Sequence, residues 1–229
     1  MFLICLNGDT HGQLADLLQE RGPNGRDLNG VVPLTVACWN ARLDVVRALL
    51  EHADIDVTIR DNFGRSPFHA AVMGLESECH PYSVYKDNQN YRAERLAYFK
   101  PDYEPQDSGK YFEILTLLLA REDVDLNEKL EYQHPIVLAI ITHATLRVTR
   151  LLLEDPNLDV NEIDCKLAEE MAIRYDHHHH LKLLAEYPER FDMNHILANG
   201  LPLLGFSIQQ ASGGCTRFLL NFPAANRGA

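Results

Sequence analysis

The chain has 229 residues, of which 46% are hydrophobic and 24% charged, and its formal net charge at pH 7 is −12. An acidic chain repels phosphate, which disfavours nucleic acid and anionic membranes as partners and leaves neutral or basic proteins as the expected ones. Five scattered cysteines without a CxxC pair indicate reduced thiols in a reducing, intracellular compartment, cytoplasmic or nuclear.

The first twelve residues, MFLICLNGDTHG, lack the basic start and long apolar run of a signal peptide. Secretion as an effector, by a route that needs no signal peptide, stays open as an alternative. No run approaches the roughly 18 apolar residues of a membrane span, so we expect no transmembrane segment.

Four stretches share a short apolar helix, a polar break and a second helix that ends in leucines. In chain order they are ICLNGDTHGQLADLLQE (4–20), VACWNARLDVVRALLE (36–51), LAIITHATLRVTRLLLE (138–154) and MAIRYDHHHHLKLLAE (171–186). The prolines Pro33 and Pro67 are 34 positions apart. A period near 33 residues predicts a stack of helix pairs, each hiding its leucines against the next.

One segment carries a family resemblance. DNFGRSPFHAAVMG, residues 61–74, resembles the ankyrin signature D-x-x-G-x-T-P-L-H-x-A-A, with Ser66 in place of Thr and Phe68 in place of Leu. Four residues match outright: Asp61, Gly64, Pro67 and His69. By this resemblance the chain is identified as a member of the ankyrin-repeat family over nearly its whole length, which implies an all-α solenoid of about six helix-turn-helix units.

We predict a single ankyrin-repeat domain over residues 1–229. Its units span approximately 1–27, 28–60, 61–130, 131–164, 165–198 and 199–229. The first is a capping unit that keeps mainly its second helix. The later units depart from the signature, and the fifth has neither its glycine nor its proline.

The third unit is too long, because it holds an insertion of about 35 residues, 75–109, between its two helices. Five of the nine tyrosines lie there: Tyr82, Tyr85, Tyr91, Tyr98 and Tyr103. Tyrosine is enriched at interfaces, so we expect this segment to set the specificity of binding. The alternative, that it folds back and packs on its own repeats, stays open.

The histidine run His177–His180 falls at the start of an outer helix when residues 171–186 are set in register with 36–51. Asp176 then takes the place of Ala41. His178 and His180 take apolar places and should be half buried, while His179 should face solvent. His177 and His180 are candidate metal ligands, although four consecutive helical residues cannot converge on one ion. A tolerated polar substitution and a weak pH response are the alternatives.

Three residues are candidates for catalysis: Asp61 and His69 of the signature, and His80, which follows Cys79 in the insertion. The resemblance implies instead that His69 bonds within its own turn. The chain contains no GxGxxG, GxxxxGK[ST] or HExxH motif, and we expect no cofactor.

The resemblance implies that turn tips and the ends of inner helices line a concave groove. The expected partner-binding residues, with the insertion tyrosines, are Trp39, Asn40, Asn62, Phe63, Arg65, Met73, Tyr82, Tyr85, Tyr91, Tyr132, Thr142, Arg174 and Tyr175. We therefore expect a non-enzymatic adaptor that binds a protein or peptide. The alternative is an enzyme or small-molecule binder whose pocket the insertion closes. The sequence does not predict the oligomeric state.

Overall fold

A computed structural model describes residue 18 and residues 22–74, 108–130, 133–141 and 145–222. These residues contain ten helices and no strand, with only two isolated β-bridges. The predicted all-α class is therefore confirmed. In the same residues no helix combines the length and apolarity needed to cross a membrane. The backbone divides into two compact units, residues 1–126 and 127–229, which are described in turn.

The described residues of the first unit contain four helices: α1 (Pro33–Trp39), α2 (Leu43–Leu50), α3 (Pro67–Gly74) and α4 (Ser108–Leu119). The inner helix α1 packs against α3, and the outer helix α2 packs against α4. All seven residues of α1 are buried. Proline opens both inner helices, where its missing N–H has no helical partner to lose.

In the second unit, the part of the chain that the structure describes contains six helices, which form three pairs. The inner helix α7 packs against both α5 and α9, and the outer helix α8 packs against both α6 and α10. The bounds are α5 (Pro135–Ile141), α6 (Leu146–Glu154), α7 (Glu162–Arg174), α8 (His178–Leu184), α9 (Leu203–Gln209) and α10 (Gly213–Asn221).

Leucines at the ends of the outer helices form the core that the repeat pattern predicted. Leu49, Leu118, Leu152 and Leu184 are fully buried, one in each of four outer helices. Burying such a side chain contributes roughly 1.5–3 kcal/mol. Helices of seven to thirteen residues are too short to persist alone in water, so stacking supplies their stability.

The break between inner and outer helix recurs with one backbone geometry. Ala41, Asp176 and Ala211 are the only residues other than glycine with positive φ in the described chain, at 50°, 54° and 57°. Each lies between the two helices of a pair. The predicted equivalence of Asp176 with Ala41 is thereby confirmed.

The turn before α3 is built on Asp61. Its Oδ1 accepts hydrogen bonds of 2.9 Å from the backbone N–H groups of Phe63 and Arg65. Gly64 has φ 79°, a conformation that suits glycine. Asp27, 34 residues earlier, accepts the same two bonds from the residues two and four places on.

A second recurring contact links successive repeats within each unit. Asn24 donates through Nδ2 to the carbonyl of Asp54 at 2.7 Å, and its Oδ1 accepts from the N–H of Asp56. Asn127 makes the same pair of bonds, to the carbonyl of Asn157 and to the N–H two residues further on. The repeat is thus visible in side-chain bonding as well as in helix order.

The fifth repeat replaces its turn with helix. Asn161 occupies the place of Asn127, but its Oδ1 accepts from the N–H of Asp164 and caps α7. The helix therefore begins at Glu162, before the predicted start of the unit at Cys165. Because the fifth repeat lacks the glycine and proline of the signature turn, nothing interrupts the helix there, and it starts directly after its asparagine cap.

Candidate functional site

The turn tips before α1 and α3 form a small surface in the first unit, here called the tip surface, made of Leu28, Asn29, Asn62 and Phe63. Leu28 is 99% exposed, although it is a large apolar side chain. The two tips are tied together, because the N–H of Asn62 donates to the carbonyl of Asn29 at 2.9 Å, and its Nδ2 donates to that of Leu28 at 3.3 Å. The exposed leucine is therefore held on hydrogen-bonded turns.

Arg65 supports the tip surface from below. Its Nε lies 2.6 Å from Oδ2 of Asp61, and both side chains are almost completely buried. The guanidinium carbon lies 4.8 Å from the ring centre of Trp39 and 4.8 Å from that of Phe63. The cation is thus sandwiched between two aromatic rings, an arrangement that stabilises a desolvated guanidinium.

The structure separates the predicted partner-binding residues into three groups. Asn62 and Arg174 are exposed, and Phe63 and Tyr175 are half-buried. Four others are buried, which corrects the expectation that they line an open groove: Trp39, Asn40, Arg65 and Met73. Five lie outside the described residues: Tyr82, Tyr85, Tyr91, Tyr132 and Thr142, as does most of the predicted insertion.

The two catalytic candidates in the signature, Asp61 and His69, form hydrogen bonds within the turn. Nδ1 of His69 lies 2.9 Å from Oγ of Ser66, and the imidazole is fully buried. The carboxylate of Asp61 is engaged by Arg65 and by backbone N–H groups. His69 therefore has the role that the family resemblance implies, and His80 lies outside the described residues.

The histidine run forms the start of α8, as predicted, with His177 as its N-cap. His179 is exposed and His178 is partly exposed. His180 is fully buried, which corrects the expectation of half burial, and so is His177. The described residues contain no group of three or more His, Cys, Asp or Glu side chains that could hold a metal ion.

His177 has a structural partner that recurs in other repeats. Its Nδ1 lies 2.9 Å from the carbonyl oxygen of Ile140 at the end of α5. Ser212 donates in the same way to the carbonyl of Ile173, and Tyr111 donates to that of Trp39. A polar group near the start of each of these outer helices thus forms a hydrogen bond with a carbonyl near the end of the inner helix of the preceding repeat.

Two exposed isoleucines, Ile163 and Ile196, were missed by the sequence interpretation. They are 33 residues apart, and each lies two residues after the asparagine of a D-x-N tripeptide. The same place holds a basic residue in three other repeats: Arg26, Arg60 and Lys129. At this repeat position a basic residue in the earlier repeats is replaced by isoleucine in the later ones, and this replacement could have identified the pair from the sequence.

A buried glutamate–histidine contact in the second unit was also missed. Oε2 of Glu169 lies 2.6 Å from Nδ1 of His195, which also lies 2.9 Å from the carbonyl of Asp192. Burial raises the pKa of Glu169. Burial alone lowers the pKa of His195, but the hydrogen bond and charge of Glu169 outweigh it, so the pKa is raised. A cavity of about 190 Å³ adjoins the pair.

The fold and its turns match known proteins of one class. The family model for ankyrin repeats (three copies) matches residues 1–82. No curated protein matches the sequence. The matched segment, residues 1–82, therefore carries ankyrin repeats, which confirms the resemblance found in residues 61–74, and the helix pairs have the ankyrin-repeat fold.

Solved structures share this fold over almost the whole chain. One is a complex of a predatory endopeptidase from Bdellovibrio bacteriovorus with an immunity protein, to which the chain is similar with 13% identity, a TM-score of 0.65 and 97% coverage of both chains. An ankyrin-repeat domain from Acinetobacter baumannii has 17% identity, a TM-score of 0.60 and coverages of 96% and 95%. The ankyrin-repeat protein EF0377 has 16% identity, a TM-score of 0.59 and 97% coverage of both. At these identities the likeness concerns the fold.

Proposed function

We propose that the protein is a non-enzymatic adaptor that binds a partner protein or peptide through the tip surface of its first unit. The observation that carries the proposal is the 99% exposed Leu28 on a turn fixed by hydrogen bonds to the next tip. Stacked ankyrin repeats are a protein-binding fold, and one similar structure is a complex of two proteins.

Preorganisation is the physical reason why this surface suits binding. Association costs less conformational entropy when the contact residues are already fixed. Hydrogen bonds hold the backbone of both tips, because Asp27 and Asp61 each close their own turn and the N–H of Asn62 donates to the carbonyl of Asn29. The buried Arg65, paired with Asp61, lies beneath them. Leu28 then offers an apolar anchor whose burial by a partner is favourable.

Charge and composition restrict the class of protein that could be the partner. Arg26 and Arg60, both exposed, flank the two tips, while the whole chain carries −12. The charge of the whole chain favours a neutral or basic partner, whereas the two arginines disfavour basic groups at the tips themselves. A partner protein that offers a neutral, apolar pocket to Leu28 satisfies both, with the tyrosine-rich insertion as the specificity element. The chain has an odd number of scattered cysteines without a CxxC pair, and Cys38, Cys165 and Cys215 are buried, which supports a reducing, intracellular location.

The test is affinity capture from a lysate with the wild-type chain, with Leu28→Ser and with a matched control, Leu146→Ser. Leu146 is another exposed leucine, on α6 in the second unit. Because Leu28 contacts almost nothing in the free protein, Leu28→Ser should unfold at the wild-type midpoint. We expect it to retain the specific partner about tenfold less, since an apolar anchor is lost. Equal retention by all three proteins would contradict the proposal.

A further inference from the structure

A small cavity in the second unit, here called the α7 cavity, lies beside the contact between Glu169 and His195. Its volume is about 190 Å³, which is room for about six water molecules. Three of its lining residues lie on α7, and the other three lie on the segment between α8 and α9. In chain order they are Cys165, Lys166, Glu169, Arg190, Asp192 and His195.

Two buried side chains at the α7 cavity have polar atoms that the folded chain does not satisfy. Glu169 is 1% exposed and His195 is 8% exposed. Among the residues that the structure describes, Oε1 of Glu169 and Nε2 of His195 find no hydrogen-bond partner. Leaving a buried polar atom without a partner is costly, so a molecule that enters the cavity and supplies one is held there.

The neighbours of His195 determine which hydrogen-bonding groups the cavity offers. Its Nδ1 lies 2.6 Å from Oε2 of Glu169 and 2.9 Å from the carbonyl oxygen of Asp192, and because both are acceptors, Nδ1 carries a hydrogen. Burial lowers the pKa of His195, but its contact with Glu169 raises it more, so the charged imidazole is favoured. Nε2 then also carries a hydrogen and needs an acceptor, whereas Oε1 of Glu169 needs a donor.

Charges of both signs surround the α7 cavity, and they differ in burial. The carboxyl group of Glu169 is buried, whereas the cations Lys166 and Arg190 are half-buried and the second carboxylate, Asp192, is exposed. Arg190 donates through Nη1 to the carbonyl of Leu153 at 2.9 Å, which fixes its side chain. A guanidinium has five N–H donors, so others are left for a ligand. The site therefore suits a ligand that carries one cation and one anion.

We propose that the α7 cavity binds a small zwitterion, a free α-amino acid. Its ammonium group donates to Oε1 of Glu169, and its carboxylate accepts from Nε2 of His195 and from the guanidinium of Arg190. A ligand with a single charge matches less well, because an ammonium alone meets the charge of Arg190 and a carboxylate alone meets that of Glu169. The site belongs to the second unit, so it does not depend on the tip surface.

The experiment is isothermal titration calorimetry of the full chain with glycine, L-alanine and L-serine, which are small enough for the cavity. Methylamine and acetate are the comparison probes, since each carries only one of the two charges. We expect at least one amino acid to bind about tenfold or more tightly than either comparison probe. If none of the three binds at millimolar concentration, ordered water alone fills the cavity and the proposal is overturned. Equal binding of methylamine or acetate would also overturn it.

Variants then locate the binding. Glu169→Gln should weaken binding of the amino acid about tenfold or more, because the ammonium group loses its anion. Glu170→Gln is the matched control, since it makes the same change one residue on, at a glutamate that pairs with Arg174. Arg190→Gln leaves the contact between Glu169 and His195 in place and should weaken binding to a similar degree. Wild-type affinity in both Glu169→Gln and Arg190→Gln, or an equal loss in the control, would contradict the assignment.

Discussion

At the scale of single residues, the first unit depends on one buried charge. Arg65 is 2% exposed, pairs with Asp61 and lies between the rings of Trp39 and Phe63. A buried cation is tolerated only when its charge and donors are satisfied. Trp39 is buried as part of this cluster, with its ring against the guanidinium of Arg65.

Replacing Arg65 with methionine should strongly destabilise the protein, because the carboxylate of Asp61 is left buried without its cation. We expect a loss of about 3–5 kcal/mol in the free energy of unfolding, measured by urea denaturation. Arg121→Ala is the control. Its ion pair with Asp123 is partly exposed, and such pairs contribute about 1 kcal/mol or less. Equal effects of the two changes would show that the sandwich is not a stabilising element.

The Glu169–His195 pair makes stability depend on pH. Both pKa values are raised in the folded protein, so the native state binds protons more tightly than the unfolded chain. Stability should therefore fall as pH rises, from the ordinary glutamate pKa of 4.5 through the raised pKa of His195, which lies above its ordinary 6.5.

The pH dependence can be measured by urea unfolding of wild type and Glu169→Gln, below pH 4.5 and again above the raised pKa of His195. The variant has no carboxylate at any pH, so the stability of wild type relative to the variant should decrease as pH rises. A difference that stays constant, or that grows with pH, would show that the pair does not couple proton binding to folding.

At the scale of elements, contacts between neighbouring repeats fix the helix ends. Asp176, at φ 54°, accepts hydrogen bonds from the N–H groups of Gly214 and Cys215 at the start of α10. A Cβ on Gly214 would lie 2.6 Å from Nδ1 of His178, so a larger residue there would require the His178 side chain to move. A carboxylate at a helix start is also favoured by the helix dipole.

Asp176→Ala should destabilise α10, since both bonds to its first turn are lost. We expect a decrease of about 1–2 kcal/mol in the free energy of unfolding and faster hydrogen exchange in residues 213–221. Asp159→Ala, at an exposed aspartate of the same unit, is the comparison and should have little effect. Unchanged exchange in α10 would exclude a capping role for Asp176.

Sequence periodicity predicted which helices exist and how they pair, because leucine spacing and the signature turn are local features. The alignment of Asp176 with Ala41 needed only an ungapped register. The pairing of Glu169 with His195 could not be predicted, since the two residues are 26 positions apart and meet only when the segment after α8 folds against α7. The early start of α7 at Glu162 was predictable in principle from its capping residue, Asn161, but the assumed turn obscured it.

At the scale of the whole molecule, charge and exposed apolar groups are unevenly distributed along the chain. The acidic residues end at Asp192, and the last helix pair is apolar and almost uncharged. The first unit instead exposes one leucine between basic residues at its tips. Under the proposed function, the tip surface is the part of the first unit that contacts a partner protein.

The measurement that tests the central claim most directly is hydroxyl-radical footprinting of the full chain, alone and bound to the protein that wild type captures. Leu28 is almost fully exposed in the free chain, so its side chain should oxidise readily and become protected several-fold on binding. Leu146, exposed in the second unit, should oxidise at the same rate in both samples. Undiminished oxidation of Leu28 in a saturated complex would contradict the claim that the tip surface is the binding site.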